Sequence, residues 1–203
     1  MAGGERTFLG NDKGDSLMTL NDDDLDDISS FDVAHTTCYS RLEEQVPSIA
    51  RRTTLSYDFS HRREPVYALP LLPHLFLATF SGVDLSDDET EDLVRSAHRH
   101  GARYTLVTRG PRGAVFHDGN DMYHQPAPRT AVIDSLGAGD SFTARTLVGL
   151  VRGEPVRRFL AAATAVAAAT CRQAGSFGHG RALPAGSRPP DSIVDVSRVL
   201  LNR

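Results

Sequence analysis

Apolar and polar residues recur along this chain with two different periods. Short runs that are apolar or alternate every second position predict strands over 31–37, 53–59, 75–80 and 104–108. Between the last two, Leu93, Val94 and Ala97 give a buried stripe to a helix that opens at the capping box Ser86-Asp87-Asp88-Glu89, runs to about His100 and stops at Gly101. A shorter helix starts at Asn21, with Asp22, Asp23 and Asp24 in its first turn and Leu25 and Ile28 on its inner face. Residues 41–52 read as a third helix with Pro47 inside it, and 6–9 and 16–20 as short strands around Gly10 and Gly14. Downstream, 114–117 and 122–125 flank Asp118-Gly119-Asn120 as a hairpin closed by Pro126 and Pro128. A short buried strand is expected at 131–133, followed by a helix carrying Phe142, Leu147, Leu150 and Val151. Gly153 and Pro155 separate it from a second helix over 156–174, mostly alanine between Leu160 and Thr170. A linker over 181–190 and a terminal helix over 191–201 follow. Strands alternating with helices predict an α/β fold, a mostly parallel sheet flanked by helices on both faces.

The junction at Asp134-Ser135-Leu136-Gly137-Ala138-Gly139-Asp140-Ser141-Phe142 organises the rest. A helix that begins there has free N–H groups and a partial positive charge in its first turn. Gly137, Ala138 and Gly139 carry almost no side chain, so an anion can approach the backbone. Asp140 then sits beside any bound phosphate, where a carboxylate can take the proton of an attacking hydroxyl. The same residues also describe a plain tight turn with an acid favourable to the helix dipole. Nine consecutive positions agreeing with one catalytic arrangement outweigh that reading. The stretch is not a Walker loop, since no Gly-Lys-Ser/Thr follows, and the G-x-G-x-x-G spacing of a dinucleotide fingerprint fails.

Composition narrows the class without naming a chemistry. The chain has 203 residues, 40% hydrophobic and 24% charged, which suits one sizeable core. A net charge of −4 gives no general pull toward nucleic acid or an anionic membrane, so neither is expected as a partner. Cys38 and Cys171, far apart and in apolar contexts, read as reduced thiols of a cytoplasmic protein. No signal peptide is expected, and the alanine-rich run at 161–169 is too short to span a bilayer. The histidines are scattered without ligand spacing; His61 and His179 read as surface residues. Asp58 ends a strand facing the presumed site and is a substrate-side candidate, followed by Ser60, Arg62 and Arg63.

The junction resembles the signature of the ribokinase-like (PfkB) carbohydrate kinases, usually written D-T-x-G-A-G-D. The wider pattern is most similar to the fructoselysine 6-kinase subgroup, through Phe31-Asp32-Val33-Ala34-His35, Tyr57-Asp58-Phe59-Ser60, Val107-Thr108-Arg109-Gly110 and Gln125-Pro126-Ala127-Pro128. The resemblance covers about residues 4–180. It implies a ribokinase-like fold, ATP as phosphoryl donor and a sugar hydroxyl as acceptor, with fructosamines such as fructoselysine as the substrate class. It implies Asp140 as catalytic base and the backbone of Gly137, Ala138, Gly139 and Asp140 as anion hole. Thr108, Gly110 and Gly113 then serve the nucleotide, although a glycine-rich turn needing positive φ explains them equally well. Gly175, with Phe177 and Gly178, would close the base pocket, and the alanine helix would lie near a flat adenine. Asp134 corresponds to a position that ligates a monovalent cation such as K⁺ in several relatives; a strand-end aspartate bonding its own turn is the other reading. The family's N-x-x-E pattern positions Mg²⁺. Here Ser81 replaces the asparagine and Asp84 is the candidate for the acid, so no protein ligand for magnesium is assigned.

Family members begin with an aspartate strand and a Gly-Gly-Asn stretch that bind the sugar, and neither motif is present. The expectation is a fold truncated at its N-terminus: 1–20 as a remnant of lid strands, 21–180 as the nucleotide-binding core, 181–203 as linker and tail. An unpaired sheet edge would make a homodimer natural. Three functions stay open: a sugar kinase impaired in acceptor binding, a nucleotide-binding remnant or regulatory partner without turnover, and a nucleoside kinase.

Overall fold

A single sheet in which strand order follows chain order carries the molecule. The structure, a computed structural model, describes residues 18–176 and 178–179. The expected strand over 6–9, positions 16 and 17, Phe177, the linker and the terminal helix lie outside the described residues, and 18–20 are irregular. The elements are α1 (Asp22–Ile28), β1 (Val33–Thr37), α2 (Val46–Ala50), β2 (Thr54–Asp58), α3 (Pro65–Ala68), β3 (Leu77–Ser81), α4 (Asp87–Arg99), β4 (Tyr104–Thr108), β5 (Ala114–His117), β6 (Met122–Gln125), α5 (Ala138–Val151) and α6 (Val156–Thr170). β1 to β4 run parallel, each paired with the next, and β5 and β6 add an antiparallel hairpin.

Side-chain alternation divides the sheet into two apolar faces. Leu55, Tyr57, Ala78, Phe80, Val107 and Val115 point to one side, where Leu25, Val46, Ile49, Val94 and Ala97 of the short helices and α4 cover them. Leu77, Leu106, Ala114 and Phe116 point to the other, under Phe142 and Leu147 of α5 and Phe159, Leu160 and Ala163 of α6. Parallel strands buried on both faces need apolar residues at successive positions, which is why these runs read as nearly continuous.

The capping box expected at Ser86 closes, and Asn21, expected only as an N-cap, closes one as well. Asn21 accepts from Asp24 N–H while Asp24 reaches back, and Ser86 pairs with Glu89 in the same way. Three expectations are corrected. The helix over 41–52 is split into a 3₁₀ turn at Glu43–Gln45 and α2, with Pro47 in the first turn of α2, where its missing N–H costs nothing. Residues 131–133 form no strand: Val132 is 45% and Ile133 62% exposed, because the amides of Ile133 and Asp134 bond the Cys171 carbonyl at the end of α6 instead of a sheet neighbour. The helix expected over 156–174 ends at Thr170.

The two covering helices meet at Gly149. A Cβ there would fall inside contact with Phe159 Cβ and 2.6 Å from its Cγ. Gly149→Ala should therefore destabilise the fold by about 1–2 kcal/mol, because overpacking of about 1–3 kcal/mol exceeds the helix-propensity gain of about 1 kcal/mol. Urea unfolding of wild type and variant checks the sign.

Candidate active site

α5 and α6 cover only the β3–β6 side of their face. On β1 and β2 the same face carries Val33, His35, Thr37, Ser56 and Asp58, and it stays open beside α5. The result is a cavity of about 1000 Å³ between these strands and the α5 flank. His35, Thr37, Asp58, Ser60 and Ser81 line one wall, and Gly137, Gly139, Asp140 and Thr143 the other. The polar residues fall at the carboxyl ends of parallel strands, where open α/β sheets gather ligands.

Gly137 makes the mouth of α5. It caps the helix at φ +77°, and a Cβ there would sit 2.5 Å from Ser176 Cβ, so both conformation and space require glycine. Ala138 N–H bonds Ser135 O at 3.2 Å and Ser141 N–H bonds Gly137 O at 2.8 Å. The amides of Gly139 and Asp140, between them, have no partner among the described residues. They are open donors at the helix mouth, and the Asp140 carboxylate lies at the cavity edge. A smaller recess of about 230 Å³ is lined by Gly137, Asp140, Ser141, Ala144 and Ser176.

Asp134 holds this mouth in place. It is 8% exposed; Oδ1 accepts from Leu136 N–H at 3.0 Å and Oδ2 from Gly175 N–H at 2.9 Å. It thereby clasps the turn to the chain leaving α6, which is the structural alternative to its expected cation role. Ser141 and Thr170 add a hydroxyl pair at 2.9 Å between the two helices.

Burial raises the pKa of Asp58, opposed by its bond from Ser60 N–H at 2.7 Å and reinforced by Asp140. Ser60 sits in the left-handed region at φ +53°, and its carbonyl accepts from Ser81 N–H at 2.8 Å. Burial lowers the pKa of His35, against the pull of Asp58 and Asp140.

Other candidates are brought elsewhere. Thr108 lies under the α5 mouth, its Oγ1 4.0 Å from where a Gly139 Cβ would be. Gly110 and Gly113 do not line the cavity; Gly113, at φ +87°, packs so closely on the Gln125 carbonyl that a Cβ cannot fit. Asp84 is held bidentate by Arg63 at 2.8 and 2.5 Å, which pulls its pKa down to about 2, and it also lies off the cavity. Arg109 pairs with Asp87, and Arg112 donates to the Gly82, Val83 and Leu85 carbonyls, so both serve the strand-end loops. Arg62 lies over the Tyr67 ring. His35, Tyr39 and Arg152 line the cavity without having been singled out in the sequence. For His35 the signal was available: in the alternation of Val33, His35 and Thr37 it shares the face of Asp58.

Comparison with known proteins adds a family. The model of the pfkB family carbohydrate kinases matches residues 3–178. Fructosamine kinase FrlD of Bacillus subtilis (strain 168) is 39% identical over 181 residues, 87% of this chain and 64% of that protein. Fructoselysine 6-kinase of Escherichia coli (strain K12) is 29% identical over 159 residues, 78% of this chain and 60% of that protein. The chain thus spans less than two thirds of the length of these relatives. Arabidopsis thaliana ribokinase, solved with ribose and ATP, matches with a TM-score of 0.66 at 19% identity over 80% of this chain and 56% of that one. That likeness shows the fold, which is ribokinase-like.

Asp58→Asn should stabilise the protein at neutral pH. A carboxyl whose folded pKa lies above its unfolded value weakens the fold once pH rises past the unfolded value, about 3.9, and fully so above the folded one. The amide keeps the oxygen that accepts from Ser60 and removes the buried charge. The expected result is a higher melting midpoint at pH 7, about 2–4 °C for each kcal/mol relieved, and a difference that shrinks toward pH 4. Thermal melts across that range check it.

Proposed function

Because the chain belongs to the pfkB family of carbohydrate kinases, we propose that it transfers a phosphoryl group from ATP to a hydroxyl of a sugar, with fructosamines such as fructoselysine as the acceptor class. The observation that carries this reading is the α5 mouth: two unpartnered amides and the Asp140 carboxylate on one helical turn, opening on a cavity whose far wall is Asp58. The amides of Gly139 and Asp140 suit the charge of the transferring phosphoryl group, fixed beforehand by the Asp134 clasp. Asp140 takes the proton of the attacking hydroxyl. Asp58 and its neighbours orient that hydroxyl, a contribution that reaches about 7–11 kcal/mol in well-placed intramolecular reactions. The substrate class rests on similarity to the fructosamine and fructoselysine kinases.

Among the described residues no three His, Cys, Asp or Glu side chains are grouped to hold a metal, and Asp84 is committed to Arg63. Magnesium bound to the nucleotide would supply neutralisation of phosphate charge. The residues of this chain then hold the anion, the proton and the acceptor. No helix among the described residues is long and apolar enough to cross a membrane.

One observation favours a second reading, nucleotide binding without transfer. The acceptor side is wide: β1 pairs only with β2 among the described strands, and Val148 and Val151 on the cavity wall are 41% and 43% exposed.

Two measurements separate the readings. ADP release should depend on ATP, fructoselysine and Mg²⁺ together, stop on chelation with EDTA and return with added Mg²⁺. ATP binding with no sugar-dependent release supports the second reading. Asp140→Asn should lower turnover by about 10²–10⁴ while ATP affinity stays within a few-fold. Retained turnover in that variant rejects Asp140 as the base.

A further inference from the structure

His35 breaks the apolar habit of its sheet face. In register with it on β3, Leu77 is fully buried under α5 and α6, as is Leu106 on the same face of β4. His35 instead lines the open cavity, in register with Ser56 on β2. Its Nδ1 lies 3.0 Å from Ser56 Oγ, and Ser56 is fully buried, so the hydroxyl fixes the ring orientation. Nε2 has no partner among the described residues. Asp58 is two positions along the neighbouring strand; one of its oxygens holds Ser60 N–H and the other has no partner among the described residues.

The charges around the ring decide which nitrogen carries the proton. Asp58 and Asp140 lie close enough to act on it, and Asp32 and Arg152 line the same cavity. Negative potential on the cavity side favours a hydrogen on Nε2, with the Ser56 hydroxyl donating to Nδ1. His35 then offers a donor and Asp58 an acceptor to the same space. From strand spacing and rise their backbones are about 8 Å apart, and two side chains leaning together from that distance converge on adjacent groups of one ligand.

We propose that His35 is a specificity-determining residue: with Asp58 it reads two neighbouring hydroxyls of a polyhydroxylated acceptor. One hydroxyl donates to the free Asp58 oxygen and the oxygen of its neighbour accepts from His35 Nε2–H. A site built this way discriminates against an acceptor lacking either hydroxyl, because a polar group in the wall is left unpaired. The inference deepens the kinase reading and rests on it for the reacting hydroxyl, while the recognition step is measurable without turnover.

The test uses the whole chain as wild type, His35→Leu and His35→Gln, with fructoselysine, fructose, ribose and their deoxy analogues as probes. Sugar and ATP affinities, ADP release and the His35 imidazole nitrogen resonances are measured. Wild type should show the Nε2 resonance moving on sugar addition and not with the analogue lacking the contacted hydroxyl. His35→Leu should weaken sugar binding about ten- to hundredfold, raising KM more than it lowers kcat, with ATP affinity unchanged. His35→Gln, which keeps an N–H at its tip, should recover most of the loss. Sugar affinity in His35→Leu equal to wild type overturns the inference, as does an imidazole silent to every probe while ATP binds. If fructoselysine gives no ADP release but another sugar moves the imidazole and loses affinity in His35→Leu, the fructosamine reading falls and the role of His35 stands.

Discussion

The amides that α5 leaves unbonded are the constraint on which the site depends. A helix start has donors without intrahelical partners, and a protein normally hides them under a capping side chain. Here the cap position is Gly137, which has no side chain to offer, and its left-handed conformation admits no other residue easily. The cost of leaving donors open is offset nearby. Asp134 takes two other amides, from Leu136 and Gly175, and Ser141 and Thr170 tie the two helices together. What stays exposed is held in place before any ligand arrives.

The second condition is the uneven cover on one face of the sheet. Seating α5 and α6 over β3 to β6 buries Leu77, Leu106 and Phe116, and the Gly149–Phe159 contact lets the helices close on each other. The same seating leaves β1 and β2 open on that face, and there the residues turn polar. A packed region and an open polar one thus share one surface, divided along the line where the α5 flank ends. The opposite face carries no such division: Phe59 and Phe80 stack at 4.6 Å, and the apolar cluster runs from α1 to α4.

Much of this was legible in the residues. Short apolar or alternating runs placed all four parallel strands and the hairpin, and the cap at Asn21 and the capping box at Ser86 fixed two helix starts, because those signals are local. The family signature at the junction was legible for the same reason, since it lies in consecutive residues. Harder to read were positions that a distant partner decides. Val132 and Ile133 look like a buried strand, but the Cys171 carbonyl takes the amides at that point. Asp84 looks available until Arg63 folds against it, and Gly113 looks like a ligand loop until β6 packs on it. His35 was named only as part of a family segment, because its position relative to the cavity depends on which side of the sheet α5 leaves uncovered.

Ser60 ties the wall of the cavity to the loop beyond it. Its amide hangs on the Asp58 carboxylate and its carbonyl on the Ser81 amide, while the Ser81 carbonyl accepts from Arg63, which grips Asp84. A residue held in an unfavourable backbone conformation behaves like a bent spring, kept loaded by whatever restrains its ends. One restraint is the very carboxylate that faces the cavity. Contact made at that carboxylate therefore has a mechanical route, through one serine, to the neighbouring strand end and the loop that follows it.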